Sequence, residues 1–313
     1  MTEFAQFVLI GLVAGSVYAL IAIGYTMVYG IIELINFAHG DLFMLGSFLA
    51  LQMAVWVGAA PIPGLSGPFD PPSTGLALLA VALMLIAAPI FCAALNVAVD
   101  RVIYKPVRNA PKLTVIVSAI GVSFLFMNAG LFWRGATDVN FPSLIGNANI
   151  AEGTGLRFTW KDLMVIGVTV PTMIALSAFV RYTTLGKAMR ATAQNPIAAA
   201  LMGINVDRVI SATFAIGGAL AGIASVVFGL FFNTVSYQMG FQNGVYAFTA
   251  AVLGGIGNIP GAVLGGIAIG LVRSLGSAYV GETWSEALIF AILIVILIFR
   301  PNGLLGSRTR EKV

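Results

Sequence analysis

Apolar runs of about 20 residues recur along the whole chain, and this repetition restricts the fold more than any other feature. They lie near residues 5–31, 42–57, 76–99, 113–133, 163–180, 211–233, 244–258, 260–278 and 285–299. Only 9% of the residues are charged, against roughly 25% in soluble domains. In lipid every backbone polar group must be satisfied internally, and the runs lack the short alternation of barrel strands. The sequence therefore predicts an all-α polytopic membrane protein with about 8–9 transmembrane helices, which excludes a soluble protein.

The basic residues are concentrated between particular runs. Four Lys or Arg residues lie in each of the stretches 100–112, 181–208 and 300–312, which together hold 12 of the 16. Such an excess is typical of cytoplasmic segments. Even numbers of apolar runs separate the three stretches, and three runs precede residue 100. We therefore expect the N-terminus outside and the C-terminus inside.

Two polar, glycine-containing breaks interrupt the apolar pattern, ELINFAHGD at 33–41 and SYQMGFQNGVYAF at 236–248. Each follows one apolar run and leads into another, which suggests two loosely related halves with interrupted or re-entrant segments. In transporters such matching breaks indicate the substrate site, because unwound backbone is tolerated where it lines a cavity. Plain interfacial loops are the alternative. The candidate residues of a substrate pathway are Asn36, His39, Asp41, Gln242, Asn243 and Tyr246.

Residues 181–209 form one of the few stretches that cannot lie inside a bilayer. Within it Asn is a good N-cap, Pro suits the first helical position, apolar side chains share one face, and Gly ends the helix. A helix of about two turns is marginal alone in water, so it needs a docking surface. Both an ordinary cytoplasmic loop and a coupling helix moved by a partner fit this pattern. The residues concerned are Asn195, Pro196, Ile197, Leu201, Met202 and Gly203.

The sequence contains no recognisable catalytic constellation. His39 is the only histidine and Cys92 the only cysteine, so a metal site is not expected. A lone histidine is more often a structural residue than a proton carrier. Gly186 and Lys187 lack the upstream glycine and the following hydroxyl residue of a P-loop. We therefore expect no enzyme activity, no cofactor and no ATP site in this chain.

Glycines at GxxxG spacing are frequent, and in lipid such small residues let helices approach closely. Their density at 217–276 predicts tight packing of the second half, or a subunit interface there. The pairs are Gly11/Gly15, Gly218/Gly222, Gly257/Gly261, Gly261/Gly265 and Gly266/Gly270.

Several longer motifs resemble those of a known family. They are GYTMVYGIIELINFAHGDLFMLG at 24–46, YKPVRNAPKLTVIVSAIGVS at 104–123, GKAMRATAQNPIAAALMGINVDRV at 186–209, VLGGIGNIPGAVLGG at 252–266 and FRPNGLLG at 299–306. Over nearly its full length the chain resembles the H-type permease subunit of the Liv system, a bacterial ABC importer of branched-chain amino acids.

The resemblance implies one transmembrane permease domain over 1–313, with halves at about 1–133 and 163–300 and a cytoplasmic coupling loop at 181–209. It places the chain in the bacterial inner membrane, surrounded by lipid, with no nucleic-acid partner. It also implies a second, M-type permease, two ATPase subunits that bind the ATP, and a periplasmic protein that delivers branched-chain, hydrophobic amino acids. On this resemblance residues 195–203 are the helix that docks on an ATPase.

Two other functions remain open at this point. Related permeases import urea and short amides with nearly the same motifs. A secondary transporter or channel also suits two halves with broken segments, although a self-contained carrier does not need a docking helix. The exact substrate, and whether the two permeases are identical, are left open by the sequence.

Overall fold

The computed structural model describes residues 2–32, 36–61, 72–108, 110–153, 155–300 and 302–306. The helices of this described part are α1 (Thr2–Ile32), α2 (Ala38–Trp56), α3 (Thr74–Val99), α4 (Lys105–Val107), α5 (Lys112–Arg134), α6 (Trp160–Tyr182), α7 (Thr184–Gln194), α8 (Pro196–Leu201), α9 (Val206–Phe232), α10 (Met239–Gly254), α11 (Ile259–Tyr279) and α12 (Glu282–Phe299). A π-helical turn, Asp100–Tyr104, joins α3 to α4. Two short strands, β1 (Val139–Asn140) and β2 (Thr234–Val235), pair antiparallel.

Eight helical spans in the described part are long and apolar enough to cross a membrane, which confirms the predicted all-α polytopic fold. They comprise α1, α2, α5, α6, α9, α11, α12 and the continuous stretch Thr74–Val107. The predicted ninth run, 244–258, corresponds to α10, which has only 16 residues. Because α10 begins at Met239, the second polar break is itself mostly helical.

α1 is the central helix, and α11 lies along it at backbone contact distance. Gly11 and Gly15 of α1 face Gly266 and Gly270 of α11. A methyl group on Gly15 would lie 2.7 Å from the Cα of Ile267, closer than side chains ever pack. The GxxxG pairs at both ends of the chain therefore meet each other, as small residues do in membrane bundles.

α9 and α3 form a second close pair, because Gly222 of α9 lies against the backbone of Pro89. α2 runs between α3, α5, α9 and α10 and is largely buried. In contrast, α5, α6 and α12 expose most of their apolar side chains. This layering fits a bundle whose outer helices face lipid.

The two predicted halves interlock. α1 of the first half packs on α11 of the second, and α3 packs on α9. The halves therefore share one core, and their relation as repeats stays a prediction.

The first two basic stretches lie at the same end of the bundle. Lys105 and Arg108 from the first form ion pairs of 2.9 and 2.7 Å with Asp207, beside Arg208 of the second. The two stretches thus lie on one side of the bundle, as the predicted topology requires. Which side faces the cytoplasm stays a prediction. Glu33 of the first break and residues 307–313 of the third stretch lie outside the described residues.

Candidate functional site

α2 and α10 cross at glycines, and this crossing joins the two predicted breaks. A methyl group on Gly240 would lie 2.8 Å from the Cα of Asp41, and one on Gly244 would lie 3.1 Å from the Cα of Gly40. Since glycine has no side chain, the two backbones touch. We call the residues at this place, Asn36, His39, Gly40, Asp41, Gly240, Asn243 and Gly244, the polar crossing.

Asn36 is buried, and both polar atoms of its amide are hydrogen-bonded. Its nitrogen donates to the side-chain oxygen of Asn96 at 3.1 Å, and its oxygen accepts from the hydroxyl of Tyr104 at 3.0 Å. Asn96 in turn donates to the carbonyl of Phe214 in α9 at 2.7 Å. These bonds tie the start of α2 to α3, to the π-helical turn and to α9.

His39 is enclosed by α1. Its ring packs beside Gly24, where a side chain would collide with it, and meets Tyr25 edge-on at a centroid distance of 4.7 Å. The side chain is only 1% exposed. The ring therefore helps to hold α2 against α1, which agrees with a structural role for a lone histidine.

Asp41 is a buried carboxylate at the centre of the crossing. One oxygen accepts a short hydrogen bond from the hydroxyl of Ser123 in α5. The other oxygen lies over Gly240 and has no hydrogen-bond partner among the described residues. A carboxylate at membrane depth is expensive, and such residues usually serve transport.

The polar residues of α10 contact different neighbours. Gln242 is exposed, whereas Asn243 is buried and donates to the carbonyl of Met239 in its own helix at 2.9 Å. Tyr246 points away from α2 and donates to Glu286 of α12 at 2.5 Å. Asn36, His39 and Asp41 lie close along the chain, but Asn36 contacts α3, His39 contacts α1 and Asp41 contacts α10. Asn243 lies on the crossing helix, and Gln242 and Tyr246 lie elsewhere.

Tyr246 belongs to a cluster that the sequence revealed only in part. The guanidinium of Arg273 lies 5.1 Å from the Tyr246 ring centroid and donates a short hydrogen bond to the hydroxyl of Tyr18. Arg273 also approaches Glu282 at 3.7 Å. The pairing with Glu282 is predictable because both residues flank one helix connection, but the two tyrosines come from distant helices.

The crossing is closed in this conformation. The cleft beside it, lined by Tyr25, Tyr29, Phe248, Ala251 and Ile256, encloses only about 10 Å³. That is room for about one water molecule. A substrate would need the helices to separate, or a space shared with another subunit.

Four charged side chains connect the end of α3 to the start of α9, and we call them the ion-pair cluster (Asp100, Lys105, Arg108 and Asp207). Arg108 bridges Asp100 at 3.0 Å and Asp207 at 2.7 Å, and Lys105 joins Asp207 at 2.9 Å. Asp100 is completely buried, so it depends on this pairing and on the Ser211 hydroxyl at 2.5 Å. Sequence reasoning missed the cluster, because its members are up to 107 residues apart.

The ion-pair cluster continues into the polar crossing. Asp100 opens the π-helical turn that ends at Tyr104, and Tyr104 donates to Asn36. π-helical turns are frequent at functional sites. Specific contacts therefore run from Asp207, in the first turn of α9, to the start of α2.

α8 confirms the helix predicted after Asn195. The side-chain oxygen of Asn195 accepts from the amide of Ala198 at 3.0 Å, and Gly203 follows with φ of +84°. Ala199 faces the bundle and is buried. The opposite side forms what we call the docking ridge, whose members are 76%, 84% and 82% exposed: Ile197, Leu201 and Met202.

The sequence also matches known proteins over nearly its full length. Residues 7–297 match the family described as "Branched-chain amino acid transport system / permease component". The high-affinity branched-chain amino acid transport system permease protein LivH of Salmonella typhimurium is 42% identical, over 99% of this chain and 98% of its own length. The corresponding protein BraD of Pseudomonas aeruginosa is 38% identical over the same shares.

A more distant relative covers most of the chain as well. The probable branched-chain amino acid transport permease protein LivH of Methanocaldococcus jannaschii is 25% identical, over 94% of this chain and 90% of its own length. The family match and the two bacterial relatives extend over nearly all of the sequence. The chain therefore belongs to the family of branched-chain amino acid transport permeases.

Proposed function

We propose that this chain is the H-type permease subunit of an ATP-binding cassette importer, and that it carries branched-chain, hydrophobic amino acids across the bacterial inner membrane. The relatives LivH and BraD are named for this transport. The observation that carries the proposal is the exposed docking ridge of α8. An apolar ridge on a cytoplasmic segment is what a chain needs when another subunit supplies the energy.

The partners follow from this assignment. Two ATPase subunits bind the ATP, and one of them receives the docking ridge in a groove. A second, M-type permease completes the pathway, and a periplasmic binding protein delivers the amino acid. The chain itself contributes no ATPase site, in keeping with a sequence that lacks a P-loop.

The transmission route starts at α8. When the ATPases close on ATP, they displace the docking ridge and with it the start of α9. The ion-pair cluster links that start to the π-helical turn, and Tyr104 passes the displacement to Asn36. The polar crossing then opens between α2 and α10.

The polar crossing suits an amino acid with an aliphatic side chain. Its surroundings are mainly apolar, with a few polar groups to orient the ligand. The N-terminal ends of α2 and α10 favour a carboxylate, and the free oxygen of Asp41 suits an ammonium group. The polar crossing needs only a low affinity for the amino acid, because the binding protein binds it first.

Reconstitution tests the proposal. The chain is placed in proteoliposomes with the second permease, the ATPases and the binding protein, and uptake of radiolabelled leucine, urea and acetamide is measured with and without ATP. We expect ATP-dependent leucine uptake that needs the binding protein. If urea or acetamide is taken up with ATP and leucine is not, the substrates are urea or short amides and not amino acids. Uptake without ATP would indicate a secondary transporter or channel.

A further inference from the structure

A groove runs between the C-terminal half of α6 and the first turns of α11. It encloses about 570 Å³ and has mainly apolar walls, formed by side chains such as Ile174, Ala178, Val263 and Leu264. Both helices pack on α1 behind it. Ile174 and Leu264 in its walls are exposed, so the groove opens away from α1 at the surface of the bundle.

The length of the groove matches one leaflet. Its α6 wall extends from Met173 to Tyr182, and nine helical rises cover about 14 Å. Half of the hydrocarbon core of a bilayer measures about 15 Å. A single acyl chain would thus be covered over most of its depth in the membrane.

One end of the groove is positively charged. Arg181 lines this end, with its guanidinium 5.4 Å from the ring centroid of Tyr182. Arg181 makes no ion pair within the part of the chain that the structure describes. Lys187 and Arg190 follow, and the sequence contains no Asp or Glu between Arg181 and Val206. Among the described residues, no acidic side chain pairs with the positive charge at this end.

We propose that the groove is a binding site for an anionic phospholipid of the cytoplasmic leaflet. An acyl chain lies against Ile174 and Val263, and the headgroup phosphate pairs with Arg181. Arginine suits this task because its planar guanidinium donates two parallel hydrogen bonds to a phosphate. Basic pockets between transmembrane helices on the cytoplasmic side bind anionic headgroups in this way.

The site has a consequence for the coupling segment. Arg190 of α7 donates to the carbonyls of Val180 and Arg181 at the end of α6. A headgroup on Arg181 would thus lie where α7 is fastened to the bundle, one helix before α8. The lipid would hold the base of the segment that carries the docking ridge.

Quenching by brominated lipid tests the site. Ile174→Cys, in the full chain assembled with its partner subunits, is labelled with a small fluorophore, since the natural Cys92 is buried. Nanodiscs contain increasing fractions of brominated phosphatidylglycerol or brominated phosphatidylcholine. We expect half-maximal quenching at a fraction of phosphatidylglycerol about fivefold lower than the fraction of phosphatidylcholine that is needed. This is the size of the preference that a single cation near the surface gives to an anionic lipid.

Two controls separate the site from bulk lipid. Arg181→Gln should remove the preference for phosphatidylglycerol, whereas Arg157→Gln, the same loss of charge at an exposed arginine outside the groove, should keep it. A label at Val117→Cys, exposed on α5, should show no preference. Equal quenching by both lipids at residue 174 would overturn the proposal. Absence of quenching by either would also overturn it, because a protein partner would then cover the groove.

Discussion

Single glycines set the spacing of the polar crossing. Gly40, Gly240 and Gly244 allow α2 and α10 to touch, so that Asp41 lies directly over α10. A side chain on Gly40 or Gly240 would collide with backbone, and one on Gly244 would press against it. The geometry of the crossing therefore depends on the missing Cβ atoms as much as on the polar groups.

We expect Gly240→Ala to lower both stability and uptake. Its methyl group would lie 2.8 Å from the Cα of Asp41, and overpacking of this kind costs about 1–3 kcal/mol. Thermal unfolding of the purified complex and ATP-driven uptake measure the two effects. Gly121→Ala in α5 is the matched control, because nothing lies within 4 Å of that site. If the two variants behave alike, close packing at the crossing is not what matters.

Local residue patterns could be predicted from the sequence, but distant pairings could not. Asn195 was identifiable as a cap because its partner, Ala198, is three residues away. The bond between Tyr104 and Asn36 spans 68 residues and depends on how three helices pack. The candidates Asn36, His39 and Asp41 were found together because they are neighbours in the sequence. The sequence joins Gln242 and Tyr246 to them only because the two polar breaks follow and precede apolar runs in the same way, and their side chains lie elsewhere.

At the scale of elements, α8 is a short helix whose outward face is apolar and uncovered. The buried Ala199 fixes its orientation, so that Ile197 and Leu201 point away from the bundle. Such a face is unfavourable in water and calls for a docking partner.

We expect Leu201→Asp combined with Met202→Asp to abolish co-purification with the ATPases, or to uncouple ATP hydrolysis from uptake. Truncating apolar side chains that are fully buried at an interface costs about 2–5 kcal/mol each, and introducing carboxylates adds a desolvation penalty. The membrane part should stay folded, because both side chains are more than 80% exposed. Co-purification and ATP-driven uptake are the measurements.

A control for this double variant is Ile150→Asp, which places an acid at an exposed apolar residue in the 134–162 connection. It should assemble and transport normally. Normal uptake by the double variant itself would mean that α8 is an ordinary surface turn.

The ion-pair cluster leads to a different prediction, a loss of coupling without a loss of assembly. Asp207→Asn removes the anion that Lys105 and Arg108 share, while Arg108 keeps its bond to the buried Asp100. Exposed ion pairs contribute about 0.2–1 kcal/mol each, so the fold should survive. We expect fewer amino acids imported per ATP hydrolysed. Asp138→Asn, an exposed acid in another connection, should leave this ratio unchanged.

The whole molecule has a predicted orientation that follows from its basic residues. We expect cysteines placed at 105, 190 and 308 to react with membrane-impermeant maleimides only from the cytoplasmic side. A cysteine at Glu152, in the 134–162 connection, should react from outside. Because Cys92 is buried, the natural chain should stay unlabelled. Reaction of 105, 190 or 308 from the outside would contradict the topology.

Hydropathy was sufficient to predict eight of the spans, but it also marked the short α10 as a run and did not predict how the helices are arranged. Eight apolar runs became spanning helices, because a run of sufficient length has no other stable state in lipid. The short α10 and its crossing with α2 depend on contacts between glycines. The sequence shows the two glycine-containing breaks but does not show that they pack against each other.

The close pairing of α1 and α11 also determines when the bundle can be completed. Gly15 and its contact Ile267 are separated by about 250 residues, which a ribosome adds in roughly 12–50 s. During that interval α1 is already in the membrane while its closest neighbour has not yet been made. Each molecule therefore finishes folding only near the end of its synthesis, and a pause in translation after α10 would leave the glycine face of α1 open to lipid.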